Sequence, residues 1–226
     1  MFYLFKCSVD RHKQILAEDF FLGFLKGEIS TKDFWEEYKK NTDYQEILKN
    51  DKMRWKRTHL LGDIKIRHYG KGPYDKDFKF NPDTLLEICD INRLEDVYNL
   101  YIVINRYFYN RKVDVLCGNK DVKKYLFLQK IVPCYIDIQD GDFLAEIYNS
   151  TAPSLPKMER IKQAKEKIKE MYKFDKLPPK WLQPPEWPKE NGVPLVFSHQ
   201  VNEIGKSVYY FYSPKTNNKI VIEQFE

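Results

Sequence analysis

Four cysteines, four histidines and nine glycines are spread thinly through 226 residues, and each scarcity closes off a chemistry. Cys7, Cys89, Cys117 and Cys134 lie far apart, and no two have the two-residue separation of a zinc knuckle or a redox-active dithiol. Their apolar neighbours, Ile88 and Leu116 among them, predict buried thiols, which suit a reducing cytoplasm. His12, His59, His68 and His199 make no two-histidine helical pair. His59, Asp63 and His68 come nearest to a cluster and read as ordinary surface or edge side chains, so no metal is expected. Gly70 and Gly72 lack the third glycine, the following helix and the Lys-Ser/Thr pair of a phosphate cradle. The chain has no Gly-x-Ser-x-Gly elbow, and Glu36 and Glu37 sit on a charged helix face where nothing separates an acid from a base. No catalytic residue and no cofactor is therefore predicted.

Long apolar runs are missing too. The most apolar stretch, 100–104, falls far short of the roughly 20 residues that a spanning helix needs. Met1 to Lys6 show no basic start, long apolar stretch or small-residue cleavage site, so no signal peptide is expected there. Nor is charge of one sign spread along the chain. Residues 1–156 carry 25 Lys and Arg against 24 Asp and Glu, residues 157–180 nine against four, and residues 181–226 four against five. The net charge of +5 thus comes from one segment, which argues against a broad basic face for nucleic acid.

What the chain does hold is aromatic side chains, with 16 Tyr and 15 Phe taking that class to 15%. They read either as a Tyr-rich core or as anchors at a protein interface. An apolar fraction of 42% against 31% charged is a globular balance, and the length suffices for one large domain or two small ones. The pattern predicts an α+β protein. Residues 1–150 form a mostly helical region with a few strands. Residues 151–226 supply a basic helix, a Pro/Trp strap and an antiparallel β segment packed on the rest, and the two regions can equally be one continuous domain.

In more detail, a strand is expected over 1–8, where apolar residues lack helical spacing, and Asp10 then caps a helix stopped by Gly27. Ser30 with Asp33 opens a short helix holding Phe34, Trp35 and Tyr38, and another short helix is placed over 43–49. Ile64, Ile66 and His68 alternate with Asp63, Lys65 and Arg67 as a strand closed by a turn at 70–73, and Asn81-Pro82 starts a further helix. Asn92 caps a central helix that is apolar nearly all round, although 101–104 would also suit a strand. A strand over 112–117 and a helix capped by Asn119 follow. Beside Asp140-Gly141 a hairpin turn competes with a helix capped by Asp142, and the helix is preferred. Residues 151–156 are a connector. The helix over 157–174 carries a narrow stripe of Met158, Ile161, Ile168 and Met171, with Glu166–Lys169 and Glu170–Lys173 paired along its surface. Strands end the chain at 193–197, 208–212 and 220–225.

Two places hold candidate contacts. A phosphate-binding face on the basic helix would need Arg or aromatic residues interleaved on one side, and only Arg160 and Tyr172 qualify. The strap 177–188 carries Trp181, Gln183 and Trp187 among prolines that hold an extended, non-helical course. It either packs the last strands onto the helices or forms an aromatic groove wall. His199 and Gln200 stand at the end of an apolar strand, where a groove often begins. Ser198 precedes His199, and adjacent residues of a regular strand point to opposite faces, so no dyad is expected between them. Trp181, Gln183, Trp187, His199 and Gln200 are the predicted binding residues.

The same segment carries a resemblance. Pro178-Pro179-Lys180-Trp181-Leu182-Gln183, Pro185-Glu186-Trp187-Pro188 and the run from Gly192-Val193-Pro194-Leu195 to Gln200 resemble bacterial YwqG-like domains. In those domains a Trp-Pro precedes a Gly-x-Pro-Leu strand ending near a Gln. Tyr209-Tyr210-Phe211-Tyr212 is similar to the family's next aromatic strand, and the likeness covers about residues 178–226. The whole chain resembles bacterial proteins that pair this ending with a helical front, through Phe21-Leu22-Gly23-Phe24-Leu25-Lys26-Gly27 and Phe34-Trp35-Glu36-Glu37-Tyr38. Such proteins are similar to immunity proteins of polymorphic toxins, which bind and block a cognate toxin. The resemblance implies a cytoplasmic, non-enzymatic protein whose partner is a toxin. Inhibitors of nuclease toxins tend to be acidic, so this basic chain points away from a nuclease partner. Two other readings stand beside it: an enzyme with a site near His199 and the Trp181/Trp187 strap, and weak nucleic-acid binding through helix 157–173.

Overall fold

Nothing interrupts a helix between Phe2 and Lys26 except Gly23, and the chain takes one across that whole span (α1, Phe2–Lys26). The computed structural model describes residues 2–49, 86, 87, 89–138 and 141–226. The strand expected over 1–8 is therefore corrected to helix, with Asp10 inside it and not at its cap. Once a helix has nucleated, each further residue adds one bond, so weak helical spacing does not stop it. Gly27 does, taking a φ of 75° that a side chain would resist.

Two compact units divide the chain, Met1–Tyr125 and Leu126–Glu226. In the first, α1 is followed by α2 (Thr31–Lys40), α3 (Thr42–Lys49) and α4 (Leu94–Tyr109). Ser30 caps α2 as its spacing from Asp33 predicts, accepting the Asp33 N–H at 3.1 Å and donating to its carboxylate at 2.7 Å. Phe34 stacks on Phe20 with ring centroids 4.6 Å apart and packs at a tilt against Phe24 at 4.3 Å. Helix α4 buries Val97, Leu100, Val103, Ile104 and Phe108, so it is central as its all-round apolar character predicts, and 101–104 is helix. Its N-cap position is Arg93, not Asn92, whose side chain turns to Asp90 at 2.9 Å.

The strand expected over 112–117 is absent. Lys112 has a φ of 59°, and Leu116 is 92% exposed. Among the described residues no strand lies alongside to fill a ladder there. The stretch ends where Gly118 meets the last turn of α1, its N–H donating to the Leu25 carbonyl at 2.8 Å. A Cβ on Gly118 would lie 1.7 Å from the Lys26 carbonyl oxygen, so only glycine allows that approach. Asn119 then caps α5 (Lys120–Ile131), its Oδ1 accepting from the N–H groups of Asp121 and Val122 at 3.0 and 3.1 Å. The expected strand 63–69, the turn 70–73, the Asn81-Pro82 cap and the His59/Asp63/His68 group lie outside the described residues.

The second unit takes the end of α5, then α6 (Gly141–Ser150) and α7 (Lys157–Met171). Helix α6 starts at Gly141, which places Asp142 in its first turn and not at its cap. Between α6 and α7 the connector 151–156 contains the buried Thr151. On α7 the buried side chains are Ala164 and Ile168, while Met158 of the expected stripe is 74% exposed. Arg160 supplies the inward contact at that end instead, its guanidinium 4.4 Å from the Phe127 ring centre and 4.8 Å from that of Tyr148. Glu166 and Lys169 pair at 3.2 Å, and Lys173 lies past the end of the helix.

The strap leads into a short hairpin, β1 (Lys189–Glu190) with β2 (Val193–Pro194). An antiparallel sheet of β3 (Val196–Glu203), β4 (Lys206–Tyr212) and β5 (Lys219–Phe225) follows in that order. Helices first and antiparallel strands last make the protein α+β. Among the described residues no helix is long and apolar enough to cross a membrane. The expected buried thiols are corrected for the three cysteines whose side chains are described: Cys134 is exposed on the turn after α5, and Cys89 and Cys117 are half-buried. Burial, with Asp96 and Asp90 adding to it, pushes the Cys89 thiol up to about 12.

Candidate functional site

Antiparallel alternation sorts the C-terminal sheet into two faces. Gln200, Tyr209 and Ile222 form one cross-strand row, and Ser207 with Gln224 the next, on the face that carries the strap. Polar side chains of this face grip the strap's backbone. Gln200 Oε1 accepts the Lys180 N–H at 2.7 Å. Gln224, 1% exposed, accepts the N–H groups of Leu182 and Gln183 at 3.0 and 2.9 Å and donates Nε2 to the Pro184 carbonyl at 3.0 Å. The Tyr209 hydroxyl accepts from Leu182 N–H at 2.7 Å and donates to the Lys180 carbonyl at 3.0 Å. A proline-rich segment cannot complete its own hydrogen bonds, and these three side chains complete them for it.

The two tryptophans belong to the same junction. Trp181 lies against Tyr209 and Phe211, at 4.5 and 5.9 Å between ring centres, and donates Nε1 to the Tyr135 carbonyl at 2.9 Å. Trp187 is 7% exposed among Tyr172, Phe197 and Phe211, with its Nε1 on the Leu195 carbonyl at 2.8 Å. Gln183 Nε2 donates to the Phe225 carbonyl at 2.6 Å. Trp181, Gln183, Trp187 and Gln200 are thus gathered at the junction of strap and sheet, with their polar ends taken up internally.

His199 stands apart on the opposite face. Its ring lies flat on Tyr210, with centroids 4.5 Å apart and planes 6° from parallel. Its Nδ1 is 3.1 Å from Ser198 Oγ, which corrects the expectation that these neighbours point apart. The cause is a bulge: the register shifts between Phe197 and His199, so alternation fails there. Around His199 and Tyr210 the face continues through the exposed side chains of Val201, Val221 and Phe225. Val208 is buried at its centre, and Lys206 bridges to Glu223 at 3.0 Å along its rim.

The basic helix holds its two candidates inward. Arg160 donates Nε to Thr151 Oγ1 at 3.2 Å and a guanidinium N–H to the Tyr148 carbonyl at 3.1 Å, besides its ring contacts, and Tyr172 is 1% exposed. The outward side of α7 is Lys alternating with Glu, without an aromatic platform.

Reading the sequence missed a cleft of about 380 Å³ lined by Met171, Lys173, Val193, Pro194, Pro214 and Lys215. Glu190 sits at its edge, accepting from Ser213 Oγ at 2.6 Å, Asn218 Nδ2 at 2.6 Å and Thr216 Oγ1 at 3.0 Å. Those donors, Ser213 first and then Asn218, hold its carboxyl below the ordinary value. It missed Tyr209, Gln224 and Tyr210 as well. The alternation of β4 carries a signal for Tyr209 and Tyr210, but nothing in the sequence marks Gln224 as the residue that receives the strap. Among the described residues no group of three or more His, Cys, Asp and Glu side chains assembles as a metal site. Comparison with family models, curated proteins and solved structures finds no match to this chain.

Proposed function

We propose that this is a non-enzymatic protein-binding protein that holds a partner protein against the outer face of its C-terminal sheet. The observation that carries this reading is the exposed surface of Val201, Val221 and Phe225 around the stacked His199 and Tyr210. Aromatic and β-branched side chains on rigid strands offer contact area at little entropic cost. The tryptophans, which would otherwise be first choice as anchors, are engaged within the fold. The proposed partner is a bacterial toxin, following the resemblance of the chain to immunity proteins, and the setting is the cytoplasm. The test is co-purification with proteins encoded beside it, and co-expression with any toxin among them. Wild-type chain should bind and restore growth, and Tyr210→Ala with Val201→Asp should weaken binding by about tenfold or more, as loss of a central anchor does. Neighbouring products that neither bind nor harm cells would sink the reading.

A second reading, an enzyme centred on His199, has the 3.1 Å contact between His199 Nδ1 and Ser198 Oγ in its favour. A hydroxyl beside an imidazole is the start of a nucleophile–base pair. Labelling of Ser198 by a fluorophosphonate, abolished in His199→Ala, is its test.

A further inference from the structure

The main-chain groups of β5 divide into two sets. At one end of the β4–β5 ladder Ser213 N–H donates to the Asn218 carbonyl at 2.9 Å, and at the other Glu226 N–H donates to the Gly205 carbonyl at 3.0 Å. Bonded and non-bonded pairs alternate in an antiparallel ladder. Ile220, Ile222 and Gln224 therefore bond to β4, and Lys219, Val221, Glu223 and Phe225 turn their N–H and C=O groups to the outer edge. Gln183 occupies the Phe225 carbonyl. Among the described residues nothing bonds the outward groups of Lys219, Val221 and Glu223. The other edge of the sheet is engaged at its start. In β3, Phe197 N–H donates to the Lys173 carbonyl at 2.9 Å, its own carbonyl accepts from Asp175 N–H at 3.0 Å, and a bulge breaks the register. Strand β5 has neither bulge nor proline, and Val221 at its middle is 50% exposed. An even, exposed edge of this kind is a template for another strand.

The sequence of this edge is complementary to itself. Set antiparallel to a second copy and centred on Val221, Lys219-Ile220-Val221-Ile222-Glu223 places Lys219 opposite Glu223, Ile220 opposite Ile222 and Val221 opposite Val221. Lys219, Val221 and Glu223, outward-turned in both copies, then meet one another, and each such pair exchanges both N–H···O bonds while the β4 ladder stays intact. Glu223 keeps 46% of its side chain exposed while bonded to Lys206, which leaves room for a second cation. We propose that two copies of this chain join β5 to β5 about a two-fold axis at Val221, making one continuous six-stranded sheet.

This assembly uses the edge of the sheet, whereas the partner-binding reading uses its outer face, so either can fail alone. Sedimentation equilibrium of the full chain tests it, with circular dichroism as the folding control. Wild-type protein should show a concentration-dependent dimer. Val221→Pro, which removes an outward N–H and no β4 bond, should raise its dissociation constant about tenfold or more. Lys219→Glu, which sets Glu against Glu223, should raise it about tenfold, and Lys219→Glu with Glu223→Lys should restore it to within about threefold. If Val221→Pro does not fold, the charge reversal and its rescue decide. A chain that stays monomeric up to about 0.5 mM overturns the proposal. So does a dimer indifferent to Lys219→Glu, or a double variant that dimerises no better than the single one.

Discussion

Glu190 joins the short hairpin to the β4–β5 loop through one carboxylate, with Ser213, Thr216 and Asn218 all donating to it. Three donors favour the charged form, so its carboxyl titrates below the ordinary 4.5. A carboxyl lowered on folding stabilises the folded chain above its unfolded value and loses that contribution as pH falls through its folded value. Wild-type protein should therefore melt at a higher temperature than Glu190→Gln at neutral pH, with the gap closing below about pH 4.5. Thermal melts across a pH series check this, and a gap independent of pH would refute it. At the same scale His199 shows how one inserted residue changes a site. Alternation predicts that Ser198 and His199 diverge, and the bulge brings them within 3.1 Å.

Among the elements, helices with local start signals were legible and those governed by their neighbours were not. Ser30 and Asn119 cap α2 and α5 through bonds made within a few residues, so the caps could be read from spacing alone. Asn119→Ala should cost about 1 kcal/mol in urea unfolding, the ordinary cost of losing such a cap. An unchanged midpoint would mean that the Asn119 bonds are redundant. The segment 112–117 reads as a strand because its residues suit a pleat, yet a strand exists only where another lies beside it. Its course is instead dictated by the approach of Gly118 to the end of α1. In the expected stripe of α7, Ile168 is buried and Ile161 and Met171 are half-buried, and Met158 alone drops out, for a related reason. Arg160 can lay its guanidinium over two rings and bury its stem, which a hydrophobicity pattern counts as polar.

Over the whole molecule, contacts gather into Met1–Tyr125 and Leu126–Glu226, and Trp187 lies at the heart of the second. Trp187→Phe removes the bond to the Leu195 carbonyl and part of the ring packing, at an expected cost of about 1–2 kcal/mol. Hydrogen exchange should then quicken about tenfold in β3, β4 and α7 and stay nearly unchanged in α1 and α4. Equal acceleration in both units would show one cooperative core in place of two.

Much about this protein follows from residue order alone: the α+β class, the caps at Ser30 and Asn119, the stop at Gly27, the extended strap and the strands after it. These depend on dihedral preferences and hydrogen bonds between near neighbours, which travel with the sequence. The tertiary structure decided which side chains meet across long separations. It spent Trp181, Trp187, Gln183 and Gln200 on the junction of strap and sheet, put His199 on the other face with Tyr210, and left the edge of β5 without a strand beside it among the described residues. Those outcomes depend on register and on which surfaces come into contact, and a pattern of period two or 3.6 says only which residues share a face, not what that face will touch.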